Sequence, residues 1–310
     1  MTPSLRTRTA YCPPRPSTTM SMADPPAASG IDPGSGRYVV AAADVAAFAR
    51  DGYVHLPQVL TAAELAAFEP WYTKFLTGEL RPEGKDLCDM SGAVDRTPDQ
   101  YTVYNAMLPR RYSKEFLAQS QLYAERCVDI TRQLQGEGMV IDYDQILAKR
   151  PQSGDAVFAW HQDMAYWPPC EADPRTATCW LALDDSTREN GCMRFVPGSH
   201  RQPLRRHRPV LLGKGKARLD AESSHALMTD VDEEGEGARY VEIRRGDITV
   251  HNEMVVHGSG PNLSDGWRRA YVLALRSQRA HDEERAIGFT HSHNDSINWD
   301  RFHPEFLSEA

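Results

Sequence analysis

The chain has 310 residues and a formal net charge of −8 at neutral pH. That length is enough for one large domain with a buried core or for two small ones. The acidic balance argues against a nucleic-acid partner, and no apolar run reaches the roughly 20 residues of a membrane span. Neither nucleic acid nor a membrane is therefore expected as a partner.

The first 36 residues are rich in Pro, Ser, Thr, Ala and Gly, and none is acidic before Asp24. Because such a composition cannot form a core, we expect a disordered tail. Its arginines also allow an organelle transit peptide, and Met20 and Met22 allow a later start. Six cysteines without zinc-site or CxxC spacing predict reduced thiols in a cytoplasmic protein. They are Cys12, Cys88, Cys127, Cys170, Cys179 and Cys192.

Helices are predicted first. Residues 42–50 carry Val45 and Phe48 at helical spacing, and Gly52 should end this helix. A short strand is expected over residues 53–57. The T-x-x-E pattern at residues 61–64 predicts the start of a second helix, and a third should run from about residue 113 to 135.

After Gly136 the chain changes to short β-rich runs separated by turn residues. Such runs behind a helical first third predict a mainly β fold, an antiparallel sandwich or barrel buttressed by N-terminal helices. We expect residues 37–310 to form a single domain. The runs cover residues 139–147, 157–163, 177–183, 192–196, 240–243, 248–257 and 268–275.

A polar insertion at about residues 201–239 interrupts these runs. Its length and lack of core residues predict either a lid over a functional site or a solvated loop. Four arginines near its start could attract an acidic group, although a solvated loop explains them equally well. They are Arg201, Arg205, Arg206 and Arg208.

A metal site is predicted around His161 and Asp163, which alternate on one strand and so share a face. His257 at the end of a later strand gives two histidines and one carboxylate, the facial triad of non-haem iron(II) oxygenases. His251 is a rival third ligand. We prefer His257, because the Gly-Ser-Gly that follows it permits close approach of another molecule.

Two further histidines, His291 and His293, have ligand spacing but no carboxylate or basic residue beside them. They are interpreted as polar residues of a C-terminal tail.

An anion anchor is predicted beyond the turn Ser264-Asp-Gly266, a hairpin signal that would return the next strand beside that of His257. Arg268 shares a strand face with small residues that suit a cavity, whereas Arg269 shares one with Tyr271 and Leu273. We therefore choose Arg268. A buried guanidinium can bind a carboxylate through two charge-assisted hydrogen bonds.

At these residues the chain resembles the phytanoyl-CoA dioxygenase family, which includes ectoine hydroxylase. The resemblance covers about residues 42–280. It rests on Ile146-Leu-Ala-Lys-Arg-Pro151, His161-Gln-Asp-Met-Ala-Tyr-Trp-Pro168, Gly191-Cys-Met-Arg-Phe-Val-Pro-Gly-Ser-His200, Gly246-Asp247, and His257-Gly-Ser-Gly-Pro-Asn262 with Arg268.

This resemblance implies a double-stranded β-helix, a jelly-roll barrel. It implies iron(II) at His161, Asp163 and His257, and 2-oxoglutarate and O₂ as co-substrates. Arg268 would anchor 2-oxoglutarate with Ser259 beside it. By position, Gln145 and Trp180 would flank that molecule.

The implied reaction is a hydroxylation or related oxidation of an unactivated C–H, with release of succinate and CO₂. Family halogenases have a small residue in place of Asp163, so hydroxylation is favoured here.

Two other functions remain open at the level of sequence. Two histidines and an aspartate can hold zinc in a metal-dependent hydrolase or isomerase. A jelly-roll barrel can also be a binding protein without catalysis. The sequence indicates a small-molecule substrate but not which one, and it leaves the oligomeric state open.

Overall fold

A computed structural model describes residues 28–93, 96–210 and 226–307 of the chain. The strands in chain order are β1 (Gly30–Ile31), β2 (Tyr38–Val39), β3 (Tyr53–Leu56), β4 (Leu87–Asp89), β5 (Val103–Met107), β6 (Met139–Lys149), β7 (Phe158–His161), β8 (Thr176–Ala182), β9 (Met193–Phe195), β10 (Arg208–Pro209), β11 (Leu227–Met228), β12 (Arg239–Val241), β13 (Ile248–His251), β14 (His257–Ser259) and β15 (Arg268–Ser277). The helices are α1 (Ala42–Asp51), α2 (Ala62–Leu76), α3 (Pro109–Tyr112), α4 (Lys114–Gln119), α5 (Gln121–Gln135), α6 (Gln278–Ala286) and α7 (Trp299–Phe302).

Two antiparallel sheets form the centre of the fold. The large sheet has the strand order β3-β13-β8-β15-β6-β5-β4, and the small sheet has the order β12-β9-β14-β7. Trp180 and Val272 of the large sheet pack against Met193 and Phe195 of the small sheet. The mainly β class with supporting helices is confirmed. In the described parts of the chain the sheets share no strand, so they face each other as a sandwich and hydrogen bonds do not close the barrel.

The N-terminal helices cover the outer face of the large sheet. The ring centroid of Tyr271 on β15 lies 5.2 Å from those of Phe68 on α2 and Phe116 on α4, and 5.6 Å from that of Tyr123 on α5. Because side chains alternate along a strand, the neighbours of Tyr271 on β15 point the other way, toward the small sheet.

The predicted helix boundaries are confirmed at two places. Gly52 ends α1 with a φ of 82°, which glycine adopts without strain. The capping box is formed, since the Thr61 hydroxyl accepts from the Glu64 N–H and the Glu64 carboxylate accepts from the Thr61 N–H. The single third helix was wrong. The predicted helix is interrupted at Ser120, whose hydroxyl donates to the Leu117 carbonyl, so α4 and α5 are separate helices.

The prediction of one strand over residues 248–257 was also wrong. β13 pairs with β3 and β8 in the large sheet, whereas β14 pairs with β7 and β9 in the small sheet. Asn252 makes the turn between them, because its side chain accepts from the Met254 N–H and its carbonyl accepts from the Val255 N–H. The stretch between β13 and β14 therefore carries the chain from one sheet to the other.

The hairpin expected at Ser264-Asp-Gly266 was wrong for a related reason. β15 pairs with β6 and β8, not with β14. Asn262 holds the connecting loop, donating to the Gly266 carbonyl and accepting from the Ser264 N–H. The strands on either side of this loop therefore face each other across the sandwich.

The described parts of the insertion are attached to the sheets. β10 pairs with β11, and the side chains of Arg205 and Arg208 pair with Glu236 and Asp230. Two of the four arginines therefore already have acidic partners. Residues 211–225 lie outside the described residues, and a lid function for the insertion stays a prediction.

Most of the predicted tail, residues 1–27 with Cys12, lies outside the described residues. Residues 28–36 are placed, and Gly30 and Ile31 pair with Val39 and Tyr38. The five described cysteines are free and buried. Over the ranges that the structure describes, no helix has the length and apolar composition needed to cross a membrane.

Candidate active site

His161 and His257 are placed side by side by the small sheet. They are directly opposed residues of β7 and β14, and their ring centroids are 4.2 Å apart. Each Nδ1 lies near the carbonyl two residues earlier in the chain, 2.8 Å from Ala159 and 3.0 Å from Val255. Because Nδ1–H donates to these carbonyls, each ring presents the lone pair of Nε2, which is the form a metal binds.

Asp163 reaches the two histidines from the end of β7. That strand stops at His161, Gln162 stays extended, and Asp163 opens a 3₁₀ turn. Asp163 Oδ1 lies 3.3 Å from His161 Nε2 and 3.5 Å from His257 Nε2. One ligand atom from each of the three residues lies within 4.8 Å of the other two, close enough for one metal ion.

The protonation states suit a metal site. Burial alone would raise the pKa of the Asp163 carboxyl, but His257, His161 and His251 together hold that pKa well below its usual range. Burial, reinforced by His161, holds the pKa of His257 well below the ordinary value. A carboxylate beside a neutral imidazole is what a divalent cation requires of these ligands.

His251 occupies a different position from the other two histidines. It lies on β13 of the large sheet, and its Nε2 is 3.3 Å from Asp163 Oδ2, the oxygen that faces away from the other two imidazole Nε2 atoms. The Thr178 hydroxyl donates to the same oxygen at 3.2 Å. His251 and Thr178 therefore hold the carboxylate in place. Neither contact could be predicted from local sequence, since both residues come from strands far from Asp163 in the chain.

A cavity of about 520 Å³ lies between the sheets, and its lining includes the three grouped residues and Arg268. Arg268 is 2% exposed, and its Nη2 donates to Ser259 Oγ at 3.3 Å. The guanidinium carbon lies 5.0 Å from the centre of the Trp180 ring, and Nε has no partner among the described residues. Burial lowers the pKa of Arg268 to about 10, so the side chain remains a cation at neutral pH.

Lys149 is a second basic side chain in the same cavity, and sequence analysis assigned it no role. It is the register partner of Arg268 across β6 and β15, it is 1% exposed, and its Nζ donates to the Gly260 carbonyl. Burial and the neighbouring Arg268 hold its pKa well below the ordinary value. Within the described ranges neither side chain has a carboxylate at ion-pair distance. An anion entering the cavity would supply the missing charge.

Gln145 and Trp180 line the same cavity. Gln145 Nε2 donates to Asn105 Oδ1 at 2.6 Å, which fixes the orientation of the amide. Gln145 also lines a second cavity of about 680 Å³, which shares His161 and Asp163 with the first. The two cavities thus meet at the grouped histidine and aspartate side chains.

The interpretation of His291 as a residue of a polar tail was wrong. His291 is buried, and with Asp142 and Glu284 it forms a second group of potential ligand atoms. It lines the second cavity together with His293. Its acidic neighbours are 149 and 7 residues away in the chain, and the first of these contacts cannot be read from local spacing.

The donor set fits iron(II). Two neutral imidazoles and one carboxylate are the protein ligands of the non-haem iron(II) oxygenases. The Arg268 cation, with the basic Lys149 side chain beside it, fits the distal carboxylate of a 2-oxo acid bound in the same cavity. A β-sandwich with this arrangement defines the class of iron- and 2-oxoglutarate-dependent oxygenases.

Comparison with known proteins agrees with this class. The chain is 33% identical to a probable alpha-ketoglutarate-dependent hypophosphite dioxygenase of Stutzerimonas stutzeri, over 52% of this chain and 53% of that one. It is 21% identical to the human peroxisomal phytanoyl-CoA dioxygenase over 76% of this chain and 68% of that one. The match thus spans about half the length of the first relative.

Among solved structures, EvdO2 from Micromonospora carbonacea var. aurantiaca in complex with 2-oxoglutarate is 30% identical. It covers 77% of this chain and 91% of its own, with a TM-score of 0.59. The phytanoyl-CoA dioxygenase family model matches residues 48–270. The chain belongs to the phytanoyl-CoA dioxygenase family.

Proposed function

We propose that this protein is an iron(II)- and 2-oxoglutarate-dependent dioxygenase. It hydroxylates, or otherwise oxidises, an unactivated C–H of a small-molecule substrate and releases succinate and CO₂. One observation carries the proposal. The grouped residues His161, Asp163 and His257 share a buried cavity with Arg268 and Lys149, two basic side chains that have no carboxylate partner among the described residues.

His161, Asp163 and His257 would hold iron(II). The bound metal activates O₂ for attack on a C–H bond. The hydrogen bonds from the two Nδ1–H groups to Ala159 and Val255 fix the imidazole planes before the metal arrives. The two rings would therefore lose little further rotational freedom when the metal binds.

Arg268 would bind the distal carboxylate of 2-oxoglutarate through its guanidinium, with Ser259 Oγ as a third polar contact. Lys149 adds a second positive charge beside it. Gln145 and Trp180 would form the walls on either side. Because the cavity excludes most water, these charge-assisted hydrogen bonds are stronger than they would be at the surface.

The primary substrate would occupy the second cavity, which reaches His161 and Asp163 from another side. An intact Asp163 favours hydroxylation over halogenation, because the carboxylate supplies the anionic ligand that a halide would replace.

We further propose one oxygenase domain over residues 37–310, a cytoplasmic location, and a lid function for the insertion at about residues 201–239.

Succinate formation from 2-oxoglutarate tests the proposal. Purified protein reconstituted with iron(II) should form succinate in air, and omission of iron or O₂ should abolish it. The Asp163→Ala variant is the matched control, since it keeps both histidines and Arg268. Equal succinate formation by this variant, or none by the wild-type protein with any of a panel of small organic molecules, would contradict the proposal.

A further inference from the structure

The second cavity has a different character from the one that contains Arg268. No lysine or arginine is among its fifteen described lining residues, and six of them are aromatic. The aromatic side chains are Tyr143, Phe158, Tyr166, Trp167, Phe289 and Trp299. Such a wall favours an uncharged molecule with a flat or apolar body. Part of it comes from the segment after α6, beyond the residues that the family model matches.

His291 is the polar side chain in this wall whose orientation the structure fixes most firmly. Its ring stacks on Tyr143 with centroids 4.4 Å apart and meets Trp167 and Phe289 nearly edge-on. Its backbone φ is 64°, in the left-handed region that residues other than glycine rarely adopt. The ring therefore has one position, and the surrounding contacts hold the backbone in an unusual conformation to keep it there.

Two carboxylates lie close to the same nitrogen of this ring. His291 Nε2 lies 2.6 Å from Asp142 Oδ2 and 3.3 Å from Glu284 Oε2. Arg285 donates to Asp142, and Arg276 pairs with Glu284, so each carboxylate already has a guanidinium. The charges balance without a proton on the imidazole.

The same pairing argues against a second metal at this group, because both carboxylates are engaged by arginines.

The tautomer of His291 follows from these contacts. A carboxylate oxygen accepts hydrogen bonds, so Nε2 carries the hydrogen and donates to Asp142. Burial lowers the pKa of His291, although Asp142 acts in the opposite direction, and the ring is neutral. Nδ1 is then a lone-pair acceptor. It is buried and has no hydrogen-bond partner among the residues described, and the residue itself lines the second cavity.

We infer that His291 is a substrate-binding residue whose Nδ1 accepts a hydrogen bond from the primary substrate. The substrate is therefore an uncharged organic molecule with a flat or apolar body and a hydroxyl or N–H donor. Because a buried acceptor without a partner is costly, a molecule that lacks this donor binds more weakly. The inference rests on the proposed function for the role of the second cavity as the substrate site.

Two variants separate hydrogen bonding from the shape of the segment. His291→Gln can still place an amide N–H against Asp142 but has no acceptor at the position of Nδ1. Asn294→Ala is the matched control, since Asn294 anchors the same segment outside the cavity. Its side chain accepts from the Lys85 N–H and donates to the Glu83 carbonyl.

Phenol and its methyl ether anisole are suitable probes, because they share the aromatic ring and anisole has a methyl group in place of the donor hydrogen. Their affinities are measured by calorimetry or ligand-observed NMR on protein loaded with iron(II) and 2-oxoglutarate without O₂. We expect wild-type protein and Asn294→Ala to bind phenol about 10-fold more tightly than anisole. In His291→Gln the preference should fall to about 1.

Equal affinities in the wild-type protein, binding of neither probe, or a preference that survives in His291→Gln would overturn the inference. An equal loss in Asn294→Ala would also overturn it, because segment order alone would then explain the effect. Ring ¹⁵N NMR, with His291→Gln for assignment, must show the Nε2–H tautomer at residue 291, and an Nδ1–H tautomer would refute it.

Binding needs no turnover, so this test fails independently of the succinate assay. A phenol preference without iron-dependent succinate formation would refute the proposed function while the hydrogen-bond site remained.

Discussion

Replacing Arg268 by alanine should weaken 2-oxoglutarate binding without weakening the fold. The guanidinium is nearly fully buried, and among the described residues its only hydrogen bond is to Ser259. Burial lowers the pKa of Arg268 to about 10. Keeping this side chain charged in the folded protein therefore lowers the free energy of unfolding by an amount on the order of a few kcal/mol at every pH below about 10. An anion bound there removes that cost, and the alanine variant never incurs it.

The magnitude follows from the contacts that remain. Truncating one partner of a buried charge pair costs about 2–5 kcal/mol. Lys149 stays opposite residue 268 on β6, so we expect the lower end, about 2–3 kcal/mol. That corresponds to roughly a 30- to 150-fold rise in the Kd or KM for 2-oxoglutarate, since each 1.4 kcal/mol is about tenfold.

Arg269 is the matched control on the opposite face of β15. Its guanidinium pairs with Asp184 at 2.6 Å and with Glu69. Arg269→Ala should leave 2-oxoglutarate affinity unchanged and lower the free energy of unfolding by about 1–3 kcal/mol, because the partly buried Asp184 loses its guanidinium and Glu69 keeps only Arg245.

Calorimetric titration of 2-oxoglutarate and urea unfolding of both variants measure the two effects. A loss of affinity in Arg269→Ala, or a destabilised Arg268→Ala with normal affinity, would refute the assignment of the anchor.

Three further predictions concern the metal ligands and the insertion. Asp163→Gly should retain well under a few per cent of wild-type succinate formation with saturating iron, because the group of His161, Asp163 and His257 loses its only carboxylate. A higher remaining activity would show that Asp163 is not a ligand. His257→Ala should lose iron binding, whereas His251→Ala should keep iron with activity reduced about 10- to 100-fold, as measured by metal content and turnover; the reverse order would exchange the two roles. His207 has a pKa lowered to about 3 by burial, and free histidine titrates near 6.5. As the pH falls, the unfolded chain therefore binds the proton first. The contribution of His207 to the free energy of unfolding should fall by about 1.4 kcal/mol per pH unit below about 6.5. Urea unfolding at several pH values should show a shallower decrease in His207→Gln than in the wild-type protein.

The parts of the site that follow from local pattern could be predicted from sequence, and the parts that depend on sheet membership could not. Alternation placed Arg268 and Arg269 on opposite faces of one strand, and the structure has them so. The same reasoning put His251 and His257 on one strand. The Asn252 turn lies between β-branched residues without a glycine or proline, so the hydrophobic pattern continues across it.

The contacts of the insertion could not be predicted from the sequence for a different reason. His207 Nε2 accepts from the backbone N–H of Gln162, the residue between two proposed metal ligands, and Gln162 Oε1 accepts from the Arg205 N–H. A polar stretch without core residues predicts exposure. Here its polar groups instead satisfy the backbone and side chain of one buried glutamine, and nothing in the local composition distinguishes these two outcomes.

Charge compensation separates a functional cation from a structural one in this protein, and sequence does not contain that information. Arg268, Arg269 and Arg276 all lie on β15. Because side chains alternate along a strand, the pattern predicts that Arg268 and Arg276 share one face. Arg276 is fully buried but pairs with Glu284, whereas Arg268 and its register partner Lys149 have no such partner among the described residues. Folding alone gives no reason to place two basic side chains together between apolar sheets, because a charge on either resists desolvation and the two charges would repel each other. The arrangement becomes favourable when an anion joins them, and the three proposed metal ligands in the same cavity indicate which end of that anion would reach the metal.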